Sequence, residues 1–366
     1  MKKSLFYKLM GGVALCVVMT LALTGCGSSS DGEATKSYNV TGNIWGQGVN
    51  ALDIIAKEAE YTQESVGNKF KIYNDNFTAD TQASNFQSMI SSGTDGMMVF
   101  GSVPTLYSSL SKNCEKAKTP FVFFDQIPTD KKVIKTLNNN KYYLGSVGTD
   151  NYAAGENVAK AMLKNGVKTA FTLGGAVGDV VHDARLSGFK DAFTKGGGKL
   201  LASGHCDSPS DAATKGDDLI AAHKDADAIY ALTGDYSIGV LTAESNHKVD
   251  IPVYQSDTTT ESIKYIKNGK IVYADGGSKI STTLAGLLLA NYLQGNEIRD
   301  KSGNAPYFGT IVPFKVTKDI ADKYQKKFLE DHPMSKDALK KFVGKDVSYK
   351  TFVDFIDNYS FDSVSK

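Results

Sequence analysis

The chain has 366 residues, with 41 Lys or Arg against 40 Asp or Glu, so its formal net charge at pH 7 is +1. A balance this close to neutral argues against a nucleic-acid partner, which would need a strongly basic surface. No zinc-ligand spacing occurs among the cysteines and histidines, and we predict no metal and no cofactor.

The N-terminus has the layout of a secretory signal over residues 1–25. Lysines precede an apolar run from Leu9 to Leu23, which is short of the roughly 20 residues that a membrane-spanning helix needs. The run ends in Leu-Thr-Gly-Cys, residues 23–26, which resembles the lipobox of bacterial lipoproteins. The resemblance implies cleavage before Cys26 and diacylation of its sulfur, which would anchor the protein to a membrane. The alternative is an ordinary signal peptide with a coincidental cysteine.

Residues 26–37 follow as a small, polar tether. Cleavage would remove three of the 41 basic residues, which leaves the body slightly acidic. The body keeps two cysteines, Cys114 and Cys206, far apart in the chain. We interpret both as small buried apolar residues, with a disulfide between them as the less favoured alternative.

Short β-rich runs then alternate with longer helical stretches. In chain order, we predict strands at 38–45, 69–74, 95–101 and 120–125, and helices at 49–64, 80–93 and 104–118. After a looser stretch, we predict helices at 151–166, 183–197, 210–223, 237–245, 259–268 and 281–294, and strands at 168–175, 199–206, 226–234, 251–257 and 270–277. This alternation is typical of parallel sheets, and about 330 residues are enough for two lobes. We therefore predict an α/β fold of two doubly wound parallel-sheet lobes.

Several predicted strands end on residues suited to bind a small polar ligand, and ligands of open parallel sheets bind beyond the carboxyl ends of the strands. The candidates are Trp45, Asp125, Gln126, Asp235, Tyr236 and Asp257, with His182 and Arg185 near the start of a helix. Carboxylates accept from hydroxyls, a guanidinium donates through a rigid fork, and a flat ring covers the apolar face of a sugar or a base. The alternatives are core packing for Trp45, helix capping for the three aspartates and a surface ion pair for Arg185.

Four runs of the chain resemble the type I periplasmic binding proteins, the solute receptors of ABC importers. They are VFFDQIP (122–128), GSVGTDNYAAGENVA (145–159), DARLSGFKDAF (183–193) and VYQSDTTTESIKYIKNGKIVYA (253–274). The resemblance covers about residues 38–316 and implies two discontinuous lobes joined by a hinge. They would be residues 38–147 with 278–310, and residues 148–277 with 311–366.

The resemblance also implies roles for single residues. Asp125 corresponds to the cleft aspartate of the first lobe, and Arg185 and Asp257 to the arginine and aspartate of the second. Gln126 stands where sugar binders often carry Arg or Asn, and Gly277 stands at a polar hinge position of the family. These departures put specificity for ribose or glucose in doubt.

Residues 317–366 exceed the usual ending of the family. They hold two candidate helices, within 317–330 and 348–360, and we expect this extension to pack onto the second lobe.

The sequence thus favours a monomeric, extracytoplasmic, lipid-anchored solute-binding protein that presents a sugar or similar small polar ligand to ABC permease subunits. An alternative is the same receptor serving a chemoreceptor or a sensor kinase. An exported enzyme is less favoured, because no Gly-x-Ser-x-Gly elbow, P-loop or zinc spacing occurs.

Overall fold

The computed structural model describes residues 36–364. The predicted signal sequence, Cys26 and most of the predicted tether lie outside this range. Within it, no helix is both long enough and apolar enough to cross a membrane.

Strands and helices alternate along most of the described chain. The strands are β1 (Asn39–Ile44), β2 (Lys69–Asn74), β3 (Gly96–Val99), β4 (Phe121–Asp125), β5 (Tyr143–Thr149), β6 (Thr169–Gly174), β7 (Lys199–His205), β8 (Ala228–Ala231), β9 (Val253–Gln255), β10 (Ile271–Gly276), β11 (Tyr307–Ile311) and β12 (Phe314–Val316). The helices are α1 (Asn50–Ser65), α2 (Ala79–Ser91), α3 (Tyr107–Ala117), α4 (Lys131–Leu137), α5 (Asn151–Lys164), α6 (Val180–Lys195), α7 (Ala212–Ala222), α8 (Gly234–His247), α9 (Ile263–Lys267), α10 (Ile280–Leu293), α11 (Lys318–Tyr324), α12 (Lys336–Lys341), α13 (Tyr349–Asp357) and α14 (Phe361–Val364).

The strands form two six-stranded sheets. The first has the order β11-β5-β4-β3-β1-β2, and the second the order β12-β10-β9-β8-β6-β7. All pairings are parallel except that of β12, which runs antiparallel to β10 with Val316 opposite Ala274. The predicted fold class of two doubly wound, parallel-sheet lobes is confirmed. We call the first sheet with its helices the first lobe, and the second sheet with its helices the second lobe.

Apolar runs place the strands and one helix in the interior. The first four residues of β4, FVFF, are fully buried, as expected for a parallel strand covered by helices on both faces. Helix α10 is mostly apolar and is buried from Ile280 to Asn291. The first sheet, α1 and residues near the C-terminus surround it, so none of its faces needs to be polar.

Two glycines let α5 and α6 pack closely in the second lobe. A Cβ on Gly155 would lie 2.0 Å from the carbonyl oxygen of Arg185, and a Cβ on Gly188 would lie 2.0 Å from that of Tyr152. Both glycines belong to the motifs that carry the family resemblance. They seat the helix that bears Arg185 directly against α5.

The looser stretch after β4 holds elements that the pattern did not predict. Helix α4 and strand β5 both form there, and β11 and β12 form later in the chain. Strand β5 contains Gly145 and Gly148, which weaken a local β signal. Gly145 has a φ of +135°, and a Cβ there would lie 2.5 Å from the carbonyl oxygen of Pro306, so tertiary packing decides this strand.

The C-terminal extension, residues 317–364 of the described chain, does not pack onto the second lobe alone, which corrects the expectation from sequence. Tyr324 and Phe328 lie in the core of the second lobe. Leu339 and Phe352 instead lie in the core of the first lobe. Phe361 returns to the second. The physical reason is that the apolar side chains of residues 339–356 join the core that contains α10 of the first lobe.

Cys114 and Cys206 are both free and buried. They lie in the cores of different lobes, so the interpretation as buried apolar residues is confirmed.

Candidate functional site

The carboxyl ends of the strands of both lobes face one cleft of about 420 Å³. All eight ligand-binding residues predicted from the sequence line it: Trp45, Asp125, Gln126, His182, Arg185, Asp235, Tyr236 and Asp257. The structure therefore brings together residues that are as much as 212 positions apart in the chain. That they bind a ligand remains a prediction.

Arg185, near the start of α6, is 3% exposed and held by three acceptors. Its Nη1 donates to Oδ2 of Asp257 at 2.6 Å and to the carbonyl of Leu232 at 2.9 Å, and its Nε donates to Oδ1 of Asn151 at 3.0 Å. Burial disfavours the cation, but Asp257 outweighs that effect and raises the pKa of Arg185. Nη2 donates to no residue in the described range, so it is the donor left for a molecule in the cleft.

Asp257 follows β9 and is fixed on both sides of its carboxylate. Oδ1 accepts from the hydroxyl of Ser278 at 3.1 Å, and Oδ2 from Arg185. Its own N–H donates to Oδ1 of Asp275 at 2.8 Å. Burial and the Asp257 charge raise the pKa of Asp275 to about 7. Asp275 thus positions Asp257 by accepting from its backbone N–H.

Asp125 ends β4 on the opposite lobe. Its carboxylate accepts no hydrogen bond from any residue in the described range and faces the cleft. Burial, with the nearby charge of Asp257, raises its pKa to about 7, although Arg185 acts to lower it. Asp125 is thus an acceptor without a protein partner, desolvated and close to a buried guanidinium.

Asp125 and Asp257 have a backbone conformation that non-glycine residues rarely adopt. The φ angle is +59° at Asp125 and +53° at Asp257. Asp tolerates the left-handed region better than most residues do, and strained residues of this kind cluster at functional sites. Neither aspartate caps the helix that follows it, because the N-caps of α4 and α9 are Asp130 and Ser262.

His182 lies in the first turn of α6 and is neutral. Burial lowers its pKa, although Asp179 acts in the opposite direction. Its Nδ1 accepts from the N–H of Gly175 at 2.9 Å, so the ring proton is on Nε2. The ring meets that of Tyr236 edge-on at 5.4 Å. Nε2 is therefore a second donor of the second lobe.

Trp45, directly after β1, is half-buried and forms an aromatic pair with Phe77. The ring centroids are 6.4 Å apart and the planes are 85° apart. Phe77 is 47% exposed, has a φ of +59° and donates its N–H to the carbonyl of Trp45 at 2.8 Å. A Cβ on Gly46 would lie 2.0 Å from the Phe77 ring, so a side chain there would displace that ring.

Asp235 connects the lobes. It lies in the first turn of α8, which contacts α1 of the first lobe. Burial raises its pKa to about 6, although the backbone N–H of Ala51 acts to lower it. A hydrogen bond between the lobes runs from the N–H of Thr260 to Oδ1 of Asn50 at 3.0 Å. The lobes are in contact across this edge of the cleft.

Among the cleft-lining residues that the sequence analysis did not name as candidates are Phe77, Asn151 and Asp179. Asn151 lay inside a run that carries the family resemblance, so the signal for it was present. Asp179 is followed by a helical pattern, which marks an N-cap. Phe77 had no signal, because it lies in a loop that only the fold brings to Trp45.

The comparisons with known proteins agree with this architecture. A family model described as "Periplasmic binding protein domain" matches residues 37–297. A search of curated proteins gave no match.

Among solved structures, a galactofuranose binding protein is 20% identical, with a TM-score of 0.68 over 80% of this chain and 98% of that one. The periplasmic component of the arabinose ABC transporter of Shewanella sp. ANA-3, bound to arabinofuranose, is 18% identical, with a TM-score of 0.69 over 79% and 95%. A periplasmic solute binding protein of Actinobacillus succinogenes 130z with bound D-allose is 20% identical, with a TM-score of 0.68 over 79% and 99%. At these identities the structures establish the fold, and the family model covers well over half of the chain. The chain belongs to the family of periplasmic binding protein domains.

Proposed function

We propose that this chain is a lipid-anchored receptor that binds a sugar, or a similar small polar ligand, between its lobes and delivers it to an ABC permease. The observation that carries the proposal is the convergence of groups from both lobes on one cleft. The free carboxylate of Asp125 and the ring of Trp45 come from the first lobe. Nη2 of Arg185 and Nε2 of His182 come from the second.

A monosaccharide matches this set of groups. Its hydroxyls donate to carboxylates and accept from guanidinium and imidazole N–H groups. One face of its ring is apolar and packs on an aromatic side chain. A ligand that touches both lobes stabilises the closed arrangement, which is the state that a permease would recognise.

The ligands of similar solved structures also favour a sugar. Galactofuranose, arabinofuranose and D-allose are the ligands named for three of them. All are neutral monosaccharides, so we place the ligand of this chain in that class.

A panel titration tests the ligand class. Calorimetry of the purified protein with aldoses, ketoses, polyols and nucleosides should give the tightest binding with a monosaccharide. Asp125→Asn should weaken that binding ten- to hundredfold, because it removes a charged acceptor, and Asp250→Asn, on an exposed carboxylate far from the cleft, should not. Tight binding of a nucleoside, or unchanged affinity in Asp125→Asn, would contradict the proposal.

The anchor and the partner need separate experiments. Labelling with an alkynyl fatty acid should mark the wild-type protein and not Cys26→Ser, which should be released into the medium.

A deletion strain should lose uptake of the sugar that binds. Normal uptake with a lost chemotactic or transcriptional response would favour the receptor of a sensor instead.

A further inference from the structure

The C-terminal extension crosses between the lobes beside the places where the rest of the chain crosses between them. Within residues 36–364, the chain passes from one lobe to the other after β5, after β10 and between β11 and β12. The extension adds a crossing between Phe328 and His332 and another between Phe352 and Phe361. The lobes are therefore joined by more connections than the two sheets alone require.

Two tyrosines of the extension hold the backbone at the second crossing. Gly277, directly after β10, has a φ of +92°. Its N–H donates to the hydroxyl of Tyr324 at 3.2 Å, and its carbonyl accepts from the hydroxyl of Tyr359 at 2.6 Å. A rotation of the lobes about this glycine must break or bend both hydrogen bonds.

A buried cluster of charged side chains contacts the chain just after Gly277, at Lys279. Glu58 of α1 is fully buried and accepts from Nδ1 of His332 at 2.8 Å and from the hydroxyl of Thr283 at 2.6 Å. Nζ of Lys279, 6% exposed, lies 3.4 Å from Glu58 and donates to the carbonyl of Asp331 at 2.9 Å.

His332 also stacks on Tyr61 of the first lobe. The ring centroids are 3.5 Å apart and the planes are parallel. The extension thus contacts the crossing segment and α1 together.

We propose that residues 317–364 form a clamp on the hinge, which holds the lobes near the mutual orientation described here and sets the equilibrium between open and closed forms. The hydrogen bonds and ion pairs of the clamp are made without any ligand, so the clamp acts on the ligand-free protein. The clamp contacts Gly277 and Lys279, which lie at a crossing where the backbone must rotate when the lobes open. Loss of these contacts should therefore shift the population toward more open forms.

The single tryptophan of the chain provides a native reporter. Trp45 lines the cleft, so opening should expose it to a soluble quencher. We would measure acrylamide quenching and the radius of gyration by small-angle scattering without ligand. The variants are Tyr324→Phe/Tyr359→Phe, which removes both hydroxyls from Gly277, and His332→Ala. Lys350→Ala is the matched control, since its ion pair with Asp354 is exposed and lies on the same extension.

We expect about a twofold or larger rise in the quenching constant and a larger radius of gyration in both test variants, and neither change in the control. Circular dichroism establishes that each variant is folded. If the double variant unfolds, the result for His332→Ala decides. We expect this variant to fold, because the buried Glu58 keeps Lys279 and Thr283 as partners. Unchanged quenching and radius in folded variants, or equal changes in the control, would overturn the proposal. Neither result depends on sugar binding, so failure here leaves the proposed function standing.

Discussion

Arg185 shows how a buried charge is kept available at a cleft. Three protein acceptors satisfy Nε and Nη1, while Nη2 has no partner among the described residues. A lysine has one nitrogen and no fork, so it could not hold Asn151, Leu232 and Asp257 together and still present a donor. The residue type follows from this double task.

Asp125 is the complement of Arg185 on the other lobe. It carries no hydrogen bond from the described protein and has a pKa raised to about 7 by burial. A carboxylate that is desolvated without partners costs stability. That cost suits a group whose partners come with a ligand.

Phe77 gives a prediction at the scale of one side chain. Phe77→Leu removes the ring beside Trp45 and should weaken sugar binding about three- to tenfold, as expected for one aromatic contact. The melting temperature should stay close to that of the wild type, because the side chain is 47% exposed. Calorimetry and a thermal melt measure the two effects.

Tyr152→Leu is the control for this prediction. Tyr152 is 41% exposed and its hydroxyl bonds to Asp191 away from the cleft. Equal affinity of Phe77→Leu and the wild type would exclude the ring from the site.

At the scale of elements, the contact between α5 and α6 places the arginine. Gly155 and Gly188 allow the two helix backbones to pack directly against each other, because a side chain at either position would clash with the facing helix. Asp150 and Asp179 cap the two helices by accepting from N–H groups of their first turns. Local sequence signals therefore agree with the tertiary packing here.

Gly188→Ala tests that contact. The new Cβ would lie 2.0 Å from the carbonyl oxygen of Tyr152, so the helices must separate. We expect a loss of about 1–3 kcal/mol in the free energy of unfolding and weaker ligand binding, because Arg185 moves with α6. Ser187 is exposed on the same helix, so Ser187→Ala should change neither the free energy of unfolding in urea nor the ligand affinity in a titration. Wild-type stability of Gly188→Ala would show that the close packing is not needed.

At the scale of the whole molecule, several buried carboxyl groups share a raised pKa. The value is about 7 for Asp125, Asp275 and Glu244, and about 6 for Asp235. Burial is the largest cause in each case. In the unfolded chain these groups ionise near pH 4.

The sign of the resulting pH dependence follows from proton binding. Between about pH 4 and 7 the folded protein holds protons that the unfolded chain has lost, so stability falls as the pH rises. His182 opposes this trend below pH 6.5, because its pKa is lowered in the fold. Four carboxyl groups outweigh one imidazole. We therefore expect a higher melting temperature at pH 5 than at pH 8 without ligand.

Glu244→Gln should flatten this dependence without touching the cleft, since Glu244 accepts from the N–H of Ile251 within the second lobe. Thermal melts at pH 5, 6.5 and 8 measure both proteins. A melting temperature that rises steadily from pH 5 to 8 would contradict the assignment of raised pKa values.

The sequence by itself determined the order of most strands and helices, since apolar runs and turn residues are local properties. It also identified the cleft residues at strand ends, because the carboxyl ends of parallel strands meet at one edge. Tertiary structure alone decided strand β5, whose glycines give a weak local signal but meet Pro306, and the path of the C-terminal extension across both lobes. It also decided the pairing of Phe77 with Trp45. The reason is physical: these features depend on surfaces, such as the apolar core around α10, that exist only after distant segments have packed together.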